Sequence, residues 1–158
     1  MTEERYEPTA EDGLVALRDH VRVKALEARA RHPNLAGEAA VRAFLADEES
    51  VRYPTSLDFN AEKLEPGEFA WAEPLGASPG AGFQLHIHPR FQGDSELLPR
   101  LVAYHVVKIN YGDIATFEEA EIYGATLLGL DVEEYYQSLC EAADALEAPA
   151  PCEGRSCE

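Results

Sequence analysis

The sequence predicts an α+β fold, with N-terminal helices, a small mainly antiparallel central sheet and a three-helix C-terminal segment. Three observations carry this. Leu14, Leu17, Val21, Ala25 and Ala28 recur at spacings of three and four, the signature of one helical face. Two segments, 68–73 and 83–88, alternate apolar and polar residues around a loop rich in proline and glycine. After Asp94 the chain carries helix start and stop signals in three successive segments.

In order along the chain, the first helix runs from about Thr9 to Arg31 and stops at His32-Pro33-Asn34, because proline disfavours helical geometry in the residue before it. A shorter helix covers Gly37 to Ala46, with Ala40, Val41, Phe44 and Leu45 inward. Val51–Pro54 and Ser56–Phe59 are short β candidates broken by proline. Segments 68–73 and 83–88 then form an antiparallel hairpin about the loop 74–82. The glycines of that loop precede a strand and no helix N-terminus, which argues against a phosphate cradle. Asp94 or Ser95 caps a helix reaching Ile109, and Asn110-Tyr111-Gly112 ends it. Thr116 with Glu119 makes a capping box for a helix to Leu128. Gly129 terminates that helix, and Asp131 with Glu134 starts the last one, to about Leu146. The expected organisation is one domain over 1–148 and a flexible acidic tail over 149–158.

Composition narrows the function classes. At 158 residues with 46% hydrophobic and 27% charged residues, the chain can bury one sizeable core. No apolar run approaches the roughly 20 residues of a membrane helix. The N-terminal segment is acidic and polar where a secretory signal is basic and then apolar, so a cytoplasmic chain is expected. Cys140, Cys152 and Cys157 are too few and too clustered to frame the core with disulfides, which fits a reducing compartment. The formal charge is −17, and no lysine or arginine lies between Lys108 and Arg155. Nucleic acid and anionic membranes require cationic neutralisation, so both are excluded as partners. The acidity is either a solvated surface or a docking face for a basic protein partner.

Four residues carry the candidate chemistry. Alternation places Gln84, His86 and His88 on one side of their strand, opposite Phe83, Leu85 and Ile87. Two imidazoles two apart on a strand suit a divalent metal such as zinc or iron. His105 sits on an apolar stripe with Leu98, Leu101, Val102 and Ile109. Glu121 falls on the stripe of Phe117, Ala120, Gly124, Leu127 and Leu128 in the next helix, at a height matching His105 in a helical hairpin. A carboxylate that orients an imidazole makes an acid–base pair, here His105 with Glu121. The metal ligands of a hydrolase or oxidoreductase would then be His86, His88, His105 and Glu121. The rival reading is a non-catalytic acidic adaptor.

Other features point to structure. His20 and His32 read as surface residues, and Ser138 and Cys140 have no base beside them. Ala125–Leu130 followed by Asp131 reads as a helix–turn–helix corner, but the second helix opens with carboxylates where a DNA reader presents Arg, Lys, Asn or Gln.

Overall fold

Two helices, three strands and three further helices follow one another along the chain in a computed structural model that describes residues 10–147. The tail with Cys152 and Cys157 lies outside the described residues. Helix α1 spans Ala10–Arg31 and α2 spans Glu38–Leu45. Strands β1 (Thr55–Phe59), β2 (Ala70–Pro74) and β3 (Phe83–Ile87) follow, then α3 (Leu97–Tyr111), α4 (Phe117–Leu128) and α5 (Val132–Glu147). The α+β class is as expected. No described helix is long and apolar enough to cross a membrane.

The sheet has the order β1-β3-β2 and is mixed. The hairpin β2–β3 is antiparallel, with Trp71 opposite His86 and Ala72 opposite Leu85. Strand β1 pairs in parallel with β3 and sets Asp58 opposite His86. Val51 to Tyr53 remain outside the strands. The inner face carries Leu57, Ala70, Leu85 and Ile87, all buried in the same core as α2 and α3. The outer face carries Ser56, Asp58, Trp71, Glu73, Gln84 and His86, as period-two alternation requires.

Helix ends follow their local chemistry. Asp94 Oδ1 accepts from the Leu97 N–H at 2.9 Å at the head of α3, so Asp94 provides the cap. The capping box at Thr116 and Glu119 forms as expected, and Gly129 ends α4 in the left-handed region at φ 71°. The inward stripe of α4, however, is rotated from the expected one. Glu119, Ala120, Tyr123, Gly124 and Leu127 are buried, whereas Phe117 is 62% exposed. The reason lies on α1, which packs against α4. Arg18 donates from Nε to Glu119 Oε2 at 2.9 Å and from its other arm to Glu118. Thr116 gives Glu119 Oε1 two further hydrogen bonds at 2.7 Å, from its N–H and its hydroxyl. Burial pushes the Glu119 carboxyl up, and the hydrogen bonds from Thr116 and Arg18 outweigh this and hold it below its usual range. We expect Glu119→Gln to cost about 1–2 kcal/mol in denaturant unfolding at neutral pH, since a neutral amide cannot accept from all these donors. The depressed pKa makes the contribution of Glu119 complete above the ordinary glutamate value and lost as pH falls through the folded one. The deficit of the variant should therefore shrink in acid.

A second polar knot ties the end of α1 to the loop after α2. Asp47 Oδ2 accepts from His32 Nε2 at 2.8 Å, Arg31 Nε at 2.9 Å and Ser50 Oγ at 2.8 Å. Burial would raise the Asp47 carboxyl, but these donors hold it well below the carboxylate range. His32 is thus a half-buried structural partner and not a surface residue.

The corner between α4 and α5 is tight because Gly124 has no side chain. A Cβ there would lie 2.1 Å from Tyr135 Cζ. The buried Tyr135 ring fills that space, and its hydroxyl donates to the Arg100 carbonyl at 2.6 Å, locking α5 to α3. The expected helical corner is present, built on this glycine–tyrosine contact.

Candidate functional site

The sheet brings His86 between two carboxylates. From the central strand, its Nε2 hydrogen-bonds to Glu73 Oε1 at 2.8 Å across the hairpin. Its Nδ1 lies 3.7 Å from Asp58 Oδ2, beyond hydrogen-bond reach, and stays buried without a partner among the described residues. Trp71 covers the imidazole with a near-parallel stack, centroids 5.9 Å apart at 18°. Lys63 Nζ closes on Glu73 at 3.0 Å. The hydrogen bond from His86, followed by that from Lys63, lowers the Glu73 carboxyl. His86 is consequently a buried structural hub on the solvent side of the sheet, 6% exposed.

His88 departs from this face. The strand ends at Ile87, and His88 turns to accept from the Arg90 N–H at its own Nδ1, 3.1 Å, capping a 3-10 turn over Pro89–Phe91. Strand alternation predicted His86 and His88 side by side, but the following proline at 89 starts the turn and breaks that register.

His105 belongs to another environment. It projects from α3 against Phe69 and Tyr104, with ring centroids 5.8 Å and 5.5 Å away, and its Nε2 is buried without a partner among the described residues. Burial lowers its pKa to about 4, so the ring is neutral at pH 7. Glu121 does not orient it. Burial raises the Glu121 carboxyl, and Glu118 and Glu133 raise it further. The charge of Glu121 is felt by the Tyr104 hydroxyl, itself already raised by burial. The rotated stripe of α4 explains the missing pair: the buried carboxylate is Glu119, two residues earlier and about 200° round the helix from Glu121, and Arg18 claims it.

Among the described residues no three His, Cys, Asp or Glu side chains are grouped to hold a metal ion. His86, His88, His105 and Glu121 therefore do not converge as a set. Trp71, which stacks on His86, also lines a cavity together with His105.

Trp71 marks the feature sequence reasoning missed. A cavity of about 340 Å³ opens between β2, α3 and α4, lined by Trp71, Ala72, Tyr104, His105, Lys108 and Phe117 among others. Its mouth carries two exposed aromatics, Trp71 at 37% and Phe117 at 62%. Strand β2 is an edge strand, and its backbone can be followed residue by residue. The Leu75 N–H bonds Gly82 and the His88 N–H bonds the Phe69 carbonyl, so odd-numbered residues face β3. The peptide groups of Ala72 consequently turn outward, into the cavity. Glu118 and Glu121 stand on the same helix as Phe117, and Lys108 at the rim pairs with Asp113 at 3.1 Å. A walled apolar space with a neutral imidazole, a free peptide edge and a charged rim is equipped to bind a small apolar group.

No protein-family model, curated protein or solved structure matches the chain. The functional reading accordingly rests on this geometry. A second cavity, of about 510 Å³ between His20, Lys24, Glu49, Arg52 and Tyr111, is polar and carries charges of both signs. Asn110 at its floor is already engaged, donating to the Ser50 carbonyl and accepting from the Arg52 N–H.

Proposed function

We propose that this protein is a non-catalytic binding domain that takes an apolar or aromatic side chain of a basic partner segment into the cavity between β2, α3 and α4. One observation carries the reading: exposed Trp71 and Phe117 flank an apolar cavity at a free strand edge. Exposed aromatics around a concavity are the ordinary mark of a docking site, and an edge strand adds main-chain hydrogen bonds to an extended peptide. The sign of the partner follows from the net charge, because the chain as a whole carries −17. The proposal includes a cytoplasmic setting, supported by the sparse cysteines. A metal-dependent hydrolase or oxidoreductase with zinc or iron on His86, His88, His105 and Glu121 draws no support from the geometry, since such a site needs about three donors around one point.

Trp71 is the single tryptophan of the chain, so its emission reports occupancy of the cavity directly. A lysine-rich peptide with a central phenylalanine should change that emission saturably. The same peptide with glycine at the centre, or with glutamates for lysines, should bind at least about tenfold more weakly. Phe117→Ala should weaken the basic peptide as well. A flat titration, or equal responses to the basic and acidic peptides, would sink the reading.

A further inference from the structure

Helix α1 carries apolar residues on two sides, and the fold buries one. Val21, Ala25 and Ala28 are fully buried against the rest of the domain. Around the other side, Val15, Val23 and Leu26 are each more than half exposed. At 100° per residue, Val15, Asp19, Arg22 and Leu26 fall within an arc of about 60°. They form one stripe, apolar at both ends and charged in the middle, with Val23 on its flank.

The order of residues in that stripe is self-complementary. When two such helices lie antiparallel about a two-fold axis between His20 and Val21, Val15 of one copy faces Leu26 of the other. Asp19 of one copy then faces Arg22 of the other, and the symmetry repeats both pairs. A parallel arrangement would set Asp19 on Asp19 and Arg22 on Arg22. Both charged side chains are largely exposed, and within one chain they make only a 3.4 Å contact with each other.

Charge also favours this surface. Residues 10–31 carry Arg18, Arg22, Lys24, Arg29 and Arg31 against Glu11, Asp12, Asp19 and Glu27, a slight positive excess. The whole chain is at −17, so net repulsion between two copies is small where they meet through this near-neutral helix. We infer that the exposed stripe of α1 is the docking surface for a second copy of this chain, in an antiparallel α1–α1 pairing. The occupant is the chain itself, and the pairing is independent of the cavity at β2. A helix of this length spans about 33 Å, and one helix pair is at the low end of specific interface sizes, so the dimer is concentration-dependent.

Sedimentation velocity of the full chain in moderate salt, which screens the net charge, tests this. Through the micromolar range the wild-type mass should double. Leu26→Glu should remain monomeric. Asp19→Arg should weaken association by at least about tenfold by setting arginine against arginine across the axis. Adding Arg22→Asp to that variant should restore it, because the exchanged pair is again complementary only in the antiparallel register. All three positions are exposed on a helix, and circular dichroism verifies that each variant is folded. A monomer at every concentration, a dimer indifferent to Leu26→Glu and Asp19→Arg, or a double variant that stays as weak as Asp19→Arg would each overturn the proposal.

Discussion

Replacing Gly124 by alanine should destabilise the protein by about 3 kcal/mol, toward the upper end of what overpacking a core costs. In an exposed helix the same change would gain roughly 1 kcal/mol of helix propensity. Here the added methyl would stand 2.1–2.5 Å from three atoms of Tyr135, two in the ring and the hydroxyl oxygen, and that side chain is itself fully buried and held by the Arg100 carbonyl. Neither the ring nor α4 has room to retreat. Urea denaturation of Gly124→Ala, Tyr135→Leu and the double variant separates clash from propensity. The double variant should be more stable than the two single losses added together, because the leucine vacates the space that the methyl needs. Simple additivity would mean that Tyr135 is not what excludes the methyl.

Acidification should act mainly through His105 in the range below neutrality. Its pKa is lowered to about 4 by burial, while in the unfolded chain it titrates near 6.5. Between those values the unfolded chain takes up the proton and the folded one refuses it. Stability contributed by the neutral ring is complete above pH 6.5 and drains away as pH falls toward 4, by about 2.5 kcal/mol at pH 4.5. His105→Leu removes that dependence. The variant should match the wild type at pH 7.5 or exceed it slightly, since it also deletes an unpartnered buried nitrogen, and it should be clearly more stable at pH 4.5. Parallel loss of stability by both proteins over that interval would place the acid sensitivity elsewhere, with the depressed carboxyls of Asp47 and Glu119 as the next groups to test.

Most elements of this fold are legible from local chemistry. Pro33, Gly112 and Gly129 stop helices where a proline or a positive φ requires it, and the Thr116 capping box opens α4. What could not be read was where the elements meet. Hydrophobic periodicity follows the apolar residues, so it centres the buried stripe of α4 on Phe117, Ala120, Gly124 and Leu128 and carries Glu121 along with them. The actual stripe contains Glu119, because the guanidinium that neutralises it comes from α1, far away in the chain. That single rotation removes Glu121 from His105. Similarly, Ser56–Phe59 reads as a strand, but its parallel partnership with β3 depends on packing and not on its own residues. His105 was legible as an inward histidine. The cavity beside it was not, since Trp71, Tyr104 and Phe117 lie on three elements whose register no local signal specifies.

The docking of α1 on α4 has a consequence for how the chain is made. Arg18 and Glu119 are separated by 101 positions, so on the ribosome α1 must wait for about a hundred further residues before its partner exists. Until then Val21, Ala25 and Ala28 have no surface to cover them. Structure can form early in the β2–β3 hairpin, but closure of the domain waits until α4 has been made. A nascent chain arrested before Phe117 should leave its N-terminal helix open to protease, while one extended past Leu128 should protect it.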